Sequence, residues 1–225
     1  MERLVSWAGR KVLIKAVAQA IPSYAMSVFS FTKDLCGTIQ ATINRFWWVH
    51  KHEGRKLHWL GRSKLCRSKL DGGMGFRDMG SFNKALLAKQ LWRLISHPSS
   101  LVSRVLGAKY FPHGSVLDAT VGPRPNYKWR SIWGVKDVVV VGTRWIVGNG
   151  NQIDIWDSRW LPRPKSFAVI TARPPNLSVT KVRDLINFSN STWREDLIRA
   201  IFIPYDTELI LSLPLCDQWP QDKLI

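Results

Sequence analysis

The sequence predicts an α+β protein that is mainly α-helical, with a basic helical domain at residues 1–110, a linker at 111–127 and a smaller α+β region at 128–225. In the first half, apolar residues recur at the spacing of amphipathic helices. After Phe111, turn-forming residues such as Pro112, Gly114 and Pro123 become frequent, which indicates a boundary. The hydrophobic content of 45% and the charged content of 22% are typical of globular chains.

The first helix is predicted over residues 5–21, and it has an apolar face opposite a basic face. Pro22 ends or kinks this helix, because proline lacks the amide proton that a helix interior requires. The predicted apolar face comprises Leu4, Val12, Leu13, Val17, Ala20 and Ile21, and the basic face comprises Arg10, Lys11 and Lys15.

Three more helices are predicted before the linker. Thr32 is a suitable N-cap for a helix at 33–48, and Ser81 for a helix at 82–95, which has the clearest apolar stripe. A helix at 100–109 is expected to follow in antiparallel packing. The predicted core residues are Leu35, Ile39, Ile43 and Phe46 in the helix at 33–48, and Phe82, Leu86, Leu87, Leu91, Leu94 and Ile95 in the helix at 82–95.

The region after the linker is predicted to contain a helix at 129–141 and a β-hairpin at 144–156. The hairpin is expected because two β-prone runs flank Asn149-Gly150, a dipeptide that accepts the positive φ angles of a tight turn. Short helices are predicted near 181–187, 192–201 and 205–212, and the chain is expected to be truncated at its C-terminus.

The charge is large and unevenly distributed. A net charge of +17 and a pI near 10.3 indicate a polyanionic partner, either nucleic acid or an anionic membrane surface. Residues 1–110 hold 19 Lys and Arg against 5 Asp and Glu, whereas residues 111–225 hold 14 against 11. The polyanion-binding surface is therefore expected in the first half.

No catalytic or metal-binding pattern is found in the sequence, so we expect no cofactor and no enzymatic activity from this chain alone. Two-metal nucleotidyl transfer needs clustered carboxylates, and the only adjacent acids, Glu195-Asp196, are expected in a solvated first helical turn. The spacing of His50, His52, His58 and Cys66 matches no standard zinc finger, and the intervening residues are basic.

The cysteines and the hydropathy pattern predict an intracellular location, in the nucleus or the cytoplasm. Cys36, Cys66 and Cys216 fit neither a disulfide framework nor a CxxC motif. No signal peptide is recognisable, and polar residues interrupt the most apolar stretch, 12–31, before it reaches the length of about 18 residues needed to span a bilayer.

A stretch that alternates cations with aromatic residues, at 45–69, is the strongest candidate for nucleic-acid binding. Lys and Arg neutralise phosphates, and Trp stacks on unpaired bases. For Trp47 and Trp48, packing at the end of a core-facing helix is the favoured alternative. The predicted nucleic-acid-binding residues are Arg10, Lys11, Lys15, Arg45, Lys51, Arg55, Lys56, Trp59, Arg62, Lys64, Arg67 and Lys69.

Several short motifs follow one another along the chain: residues 4–17, residues 21–27, Phe46-Trp-Trp48, Gly72-Gly-Met-Gly-Phe-Arg77, residues 82–93, Ala108-Lys-Tyr-Phe111, Gly148-Asn-Gly150, Ile153, Ile155-Trp156 and Trp160-Leu-Pro162. Their order resembles the region that follows the polymerase palm in plant non-LTR (LINE-type) retrotransposon reverse transcriptases. Residues 4–17 and 21–27 look like the segment after the palm, where these enzymes have their thumb, and the blocks between residues 46 and 111 continue in the family's order. The blocks between residues 148 and 162 resemble the part before the family's zinc-binding and ribonuclease H-like regions. The likeness covers essentially the whole chain and is strongest from residue 4 to residue 162.

The resemblance implies a non-catalytic, thumb- or connection-like piece of an RNA-directed DNA polymerase that holds the backbone of RNA, DNA or an RNA–DNA hybrid. The missing polymerase and ribonuclease H-like parts of a parent polypeptide are then possible partners. Two alternatives stay open: a decayed retroelement fragment with no selected activity, and a basic scaffold or membrane-surface protein. No helix combines a basic face with a long, uninterrupted apolar face, which argues against a membrane partner.

Overall fold

The computed structural model describes residues 5–48, 59–112, 114–117, 119–164, 166–175 and 177–225. It divides into two compact units, Met1–Val139 and Val140–Ile225, here called the N-terminal and C-terminal units. The predicted fold class is confirmed, because about 47% of the chain is helical and the described residues form only two antiparallel sheets of two strands each.

The N-terminal unit is helical in all its described regular elements. The described helices of this unit, in order, are α1 (Trp7–Leu13), a π-helical segment (Ile14–Ala18), α2 (Ser23–Met26), α3 (Lys33–Trp48), α4 (Arg62–Cys66), α5 (Met79–Ser96), α6 (Leu101–Tyr110), α7 (Tyr127–Trp133) and α8 (Lys136–Gly142), whose last three residues belong to the C-terminal unit. The long helix α5 contacts α2, α3 and α7, and so forms the centre of this unit.

The first helix turns the opposite face to the core from the one predicted. Val12, Val17 and Ile21 are 62%, 48% and 75% exposed, whereas Ile14 is fully buried. For Val17 and Ile21 the π-helical segment is one reason, since the Gln19 N–H donates to the Ile14 carbonyl at 2.9 Å and this wider turn shifts the faces that follow it. Basic side chains such as Lys15 are half-buried, which a lysine tolerates because its long aliphatic stem can be covered while the ammonium stays in water.

The helices α3 and α5 match their predicted positions, but one predicted cap is wrong. The Thr32 hydroxyl accepts the Leu35 N–H at 3.2 Å, as expected of an N-cap. Helix α5 begins earlier than predicted, because the Asp78 carboxylate, and not Ser81, is the cap and accepts the Ser81 N–H at 2.9 Å. Leu87, Leu91 and Leu94 are buried as predicted, whereas Leu35 is 45% exposed.

The boundary between the two compact units, after Val139, lies C-terminal to the predicted linker at 111–127. Trp129 on α7 is fully buried and stacks on Tyr110 of α6, with the ring centroids 4.8 Å apart. Burial of a tryptophan against the α5–α6 core keeps α7 in the N-terminal unit.

The predicted β-hairpin at 144–156 does not form. Instead, strand β1 (Trp145–Ile146) pairs antiparallel with strand β4 (Lys223–Leu224) near the C-terminus. The loop directly after β1 is held by the Asp222 carboxylate, which accepts hydrogen bonds from the N–H groups of Gly148, Gly150 and Gln152, each at 2.8 Å. Because these amides bind one carboxylate, they are not available for a cross-strand ladder.

The C-terminal unit has its own core and a hairpin at a different place. Strands β2 (Ile186–Asn187) and β3 (Thr192–Trp193) form this hairpin, after a 3₁₀ helix at Val182–Leu185. Two helices follow, α9 (Glu195–Ile201) and α10 (Pro204–Leu211), close to the predicted positions. The buried core residues are Ile153, Ile155, Trp160, Leu161, Val182, Leu185, Ile186, Ile198, Phe202 and Ile210.

Candidate nucleic-acid interface

Four cations from two separate stretches of the N-terminal unit, residues 11–15 and 69–77, lie close together. We call them the basic cluster: Lys11 on α1, Lys15 on the π-helical segment, Lys69 in the loop after α4, and Arg77 just before α5. The Lys15 ammonium lies beside Gly75 in the same loop, since a Cβ added to Gly75 would be 3.2 Å from Nζ. The fold therefore joins the predicted basic face of the first helix to the predicted basic stretch that ends at Lys69.

The loop at 67–76 positions Lys69 and Arg77. The N–H groups of Met74 and Phe76 both donate to the Leu65 carbonyl at 3.2 Å, and the Gly75 N–H donates to the Arg67 carbonyl at 2.9 Å. Gly73 permits this tight turn, because a Cβ there would lie 2.2 Å from the Arg67 carbonyl oxygen.

An aromatic anchor fixes the end of this loop in the core. Phe76 is 2% exposed, and its ring lies edge-on to Trp47 at a centroid distance of 5.4 Å. The neighbouring Arg77 guanidinium lies over the Phe82 ring at 4.4 Å from its centroid. These contacts hold Arg77 at a defined position in the cluster.

The electrostatics of the basic cluster favour an anion. Partial burial lowers the pKa of Lys15, and the positive charges of Lys11, Lys69 and Arg77 lower that pKa further. Among the described residues no carboxylate contributes to this shift. An anion placed here would relieve the mutual repulsion of the cations, so the cluster is suited to a phosphate group.

The nearby acids of the loop and of α5 are already engaged. Asp78 accepts the Ser81 N–H and forms an ion pair with Arg62 at 2.8 Å, and these interactions hold the pKa of Asp78 below its usual value against the opposing effect of burial. Asp71 accepts a hydrogen bond from the Ser68 hydroxyl at 2.9 Å. Through this ion pair, Arg62 holds the Asp78 carboxylate, which is the N-cap of α5.

The remaining predicted residues are distributed over the N-terminal unit. The Arg10 guanidinium lies over the Trp7 ring at 5.6 Å, and Trp59 is 74% exposed. Arg45, Lys64 and Arg67 are exposed to solvent. Lys51, Arg55 and Lys56 lie outside the described residues. Arg77 was not predicted from the sequence, and the only local signal is its position directly after the glycine-rich turn.

The tryptophans at the end of α3 belong to the core, which was the favoured alternative. Trp47 and Trp48 are 5% and 9% exposed, and the Trp7 ring lies 4.9 Å from that of Trp47 and 6.2 Å from that of Trp48. Their aromatic faces pack against protein. Neither ring is therefore free to stack on an unpaired base.

The described ranges show neither a metal cluster nor a membrane span. Within them, no group of three or more His, Cys, Asp or Glu side chains is placed to hold a metal ion, and no helix is long and apolar enough to cross a bilayer. His50, His52 and His58 lie outside the described residues. The Glu195 carboxylate forms an ion pair with Arg199 one turn along α9, as expected of an exposed first turn.

Comparison with known proteins identifies plant relatives. No family model and no solved structure matches the chain. An uncharacterized mitochondrial protein of Arabidopsis thaliana, AtMg00310, is 45% identical over 143 residues, which cover 63% of this chain and 93% of that protein. The chain belongs to the family of this mitochondrial protein.

A second relative of the family is much longer than the chain. It is the "Putative ribonuclease H protein At1g65750" of the same plant, 36% identical over 190 residues. The alignment covers 82% of this chain and 30% of that protein, so the chain spans less than a third of the longer relative. Neither relative is named as a reverse transcriptase.

Proposed function

We propose that the chain binds the phosphate backbone of nucleic acid through the basic cluster of Lys11, Lys15, Lys69 and Arg77. The observation that carries this proposal is the position of the Lys15 ammonium beside Gly75, in the loop that carries Lys69 and leads to Arg77, where the charges of Lys11, Lys69 and Arg77 act on it. The N-terminal unit supports it, because residues 1–139 hold 23 Lys and Arg against 7 Asp and Glu. Such a surface binds without sequence preference, since phosphate contacts carry no base information.

The proposed role is binding and not catalysis. A polymerase would need carboxylates that hold two divalent ions, whereas Asp71 and Asp78, in and directly after the loop, bind Ser68, Arg62 and Ser81. The cluster instead offers ammonium and guanidinium groups, which attract phosphates and release their counterions.

We further propose that the family derives from plant non-LTR retrotransposon reverse transcriptases. Two observations support this origin: the order of the motifs quoted above, and the alignment of this chain with 30% of a longer protein named for ribonuclease H. In such a parent enzyme the basic cluster would hold a template–primer or target duplex beside a separate catalytic part.

The exposed apolar face of the first helix supports a further partner within that parent. Val12, Val17 and Ile21 are large apolar side chains that the N-terminal unit leaves in water. We propose that the polymerase part of a longer polypeptide covers this face.

Equilibrium binding of the purified chain to an RNA–DNA hybrid, a single strand and anionic liposomes tests the proposed function. We expect hybrid affinity to fall several-fold with each doubling of salt. The double variant Lys15→Gln, Lys69→Gln should lose most of this affinity. Lys109→Gln, which removes an exposed charge that does not act on Lys15, is the matched control.

Two results would contradict the proposed function. One is equal loss of affinity in the double variant and in the control, once corrected for the number of charges removed. The other is liposome binding as tight as hybrid binding, which would favour the membrane-surface alternative.

A further inference from the structure

A second candidate site lies in the N-terminal unit and shares no residue with the basic cluster. It is a cavity of about 190 Å³ between α2, α5 and α7, near the start of α6. Leu94 and Ile132, which are 5% and 3% exposed and belong to the core, provide apolar wall. A cavity of roughly 150 Å³ admits a benzene ring, so this one has room for an aromatic heterocycle.

The polar residues that line this cavity are cationic or neutral. Arg93 of α5 and Lys128 of α7 contribute positive charge, and the lining residues include no acid. Both side chains are exposed, and neither forms an ion pair with a described carboxylate. Gln90, one turn before Arg93, adds an amide that can both donate and accept a hydrogen bond.

An exposed aromatic side chain completes the site. Tyr24 on α2 lines the cavity and is 84% exposed, so the packing of the unit does not account for it. Proteins that bind single strands stack the bases on aromatic rings that lie beside cations, and Tyr24 offers such a ring.

The walls of the cavity are fixed in place by hydrogen bonds. The buried Asn83 amide of α5 donates to the carbonyls of Met26 at 2.7 Å and of Phe29 at 2.9 Å, which ties α2 to α5. The Ser30 N–H donates to the Ser131 hydroxyl of α7 at 2.9 Å. Because all three elements are joined, the backbone around the cavity is in place before a ligand arrives, and binding costs little backbone ordering.

We propose that this cavity takes one nucleotide of a single-stranded nucleic acid. The base lies against Tyr24 and the apolar wall, with Gln90 available to its polar edge, and the phosphate lies at Arg93 and Lys128. The site combines the two chemistries that a nucleotide needs, a surface for a ring and a pair of cations for an anion. Through this site the chain would hold one nucleotide of an unpaired strand, while the basic cluster contacts the phosphate backbone.

Binding of small probes to the full chain tests this site separately from the basic cluster. Adenosine monophosphate, adenosine and inorganic phosphate are titrated and followed by ligand-observed NMR. We expect the monophosphate to bind more tightly than either of the other two, and Tyr24→Ala or Arg93→Gln to weaken its binding by about tenfold. Both side chains are exposed, so the thermal midpoint should not move, and Lys109→Gln should bind like the wild type.

A single-stranded oligonucleotide that carries iodouracil provides a second measurement. After irradiation, we expect mass spectrometry to map the crosslink to the peptide that contains Tyr24. Inorganic phosphate binding as tightly as the monophosphate, unchanged binding in both variants, or crosslinks only at other peptides would each overturn the proposal.

Discussion

At the scale of single residues, one carboxylate organises the loop that follows β1. Asp222 is 7% exposed and accepts three backbone N–H groups, from Gly148, Gly150 and Gln152. Gly150 has φ of +69°, and a Cβ there would lie 2.4 Å from the Arg183 nitrogen. Gly148 and Gly150 thus bind a carboxylate far along the chain and do not form a hairpin turn.

Replacing this carboxylate should destabilise the C-terminal unit. We expect Asp222→Ala to lower the free energy of unfolding by about 3 kcal/mol, since buried amides that bound a charged acceptor lose it. Urea unfolding of the wild type and the variant measures the change. Asp217→Ala, which removes a neighbouring exposed acid, should have almost no effect; an equal cost in both variants would show that the loop does not depend on Asp222.

A second buried acid, Asp206, makes stability depend on pH. Burial by itself raises the pKa of Asp206, but hydrogen bonds from Thr171 and Ile170 and the Arg163 guanidinium outweigh it, so the folded pKa lies below the ordinary value of 3.8. A depressed pKa contributes stability above the unfolded value, and this contribution is lost as the pH falls through the folded pKa.

We therefore expect the free energy of unfolding to fall as the pH drops below about 4. Asp206→Asn should be less stable than the wild type at neutral pH and should show a shallower loss in acid. Chemical unfolding at a series of pH values measures both quantities. Parallel pH profiles for the two proteins would contradict this account.

At the scale of elements, the first helix shows why periodicity does not by itself choose the buried face. The apolar pattern of residues 5–21 is amphipathic, yet Ile14 is buried while Val12 and Val17 are exposed. The side that faces the unit is chosen by contacts made elsewhere, such as the packing of Trp7 against Trp47 and Trp48. Helical spacing predicts the element, and tertiary packing decides its orientation.

This orientation gives a direct test with two matched truncations. Ile14→Ala should lower the free energy of unfolding by about 2–5 kcal/mol, because it leaves a cavity in the core. Val12→Ala removes a side chain that is 62% exposed and should change it by less than about 0.5 kcal/mol. Thermal or urea unfolding of both variants decides which face is buried. A larger loss of stability in Val12→Ala than in Ile14→Ala would support the face predicted from the sequence.

At the scale of the whole molecule, the division into two units sharpens the charge asymmetry. Residues 1–139 carry 23 Lys and Arg against 7 Asp and Glu, whereas residues 140–225 carry 10 against 9. The C-terminal unit is thus almost neutral, and its cations include pairs such as Arg163 with Asp206 and Arg199 with Glu195. Attraction of polyanions is therefore expected from the N-terminal unit.

The salt dependence of duplex binding should follow this division. The slope of log affinity against log salt changes by about 0.9 for each phosphate that the protein ceases to neutralise. We expect Lys15→Gln to reduce the magnitude of the slope by about that amount. Arg173→Gln, which removes the same charge at an exposed site in the C-terminal unit, should leave it unchanged; equal changes in both variants would mean that net charge, and not the basic cluster, sets the binding.

The extent to which the fold could be predicted varies with the range of the interactions involved. Helices α3 and α5 were predicted within a few residues, because apolar periodicity and capping are local. The hairpin predicted at 144–156 is wrong, because the partners that this segment binds instead, Asp222 and β4, lie some 70 residues further along the chain. Arg77 was missed for the same reason: nothing near it in the sequence shows its proximity to Lys15.

The sequence by itself determined that this protein is mainly helical, strongly basic in its first half and without a recognisable catalytic motif, because composition, charge and periodicity are properties of the chain. Only the tertiary structure decided which cations meet. Lys15, Lys69 and Arg77 come together because the glycine turn folds back on Leu65 and Phe76 anchors it beside Trp47. The proximity of these cations depends on packing between distant segments, and no local sequence pattern predicts it.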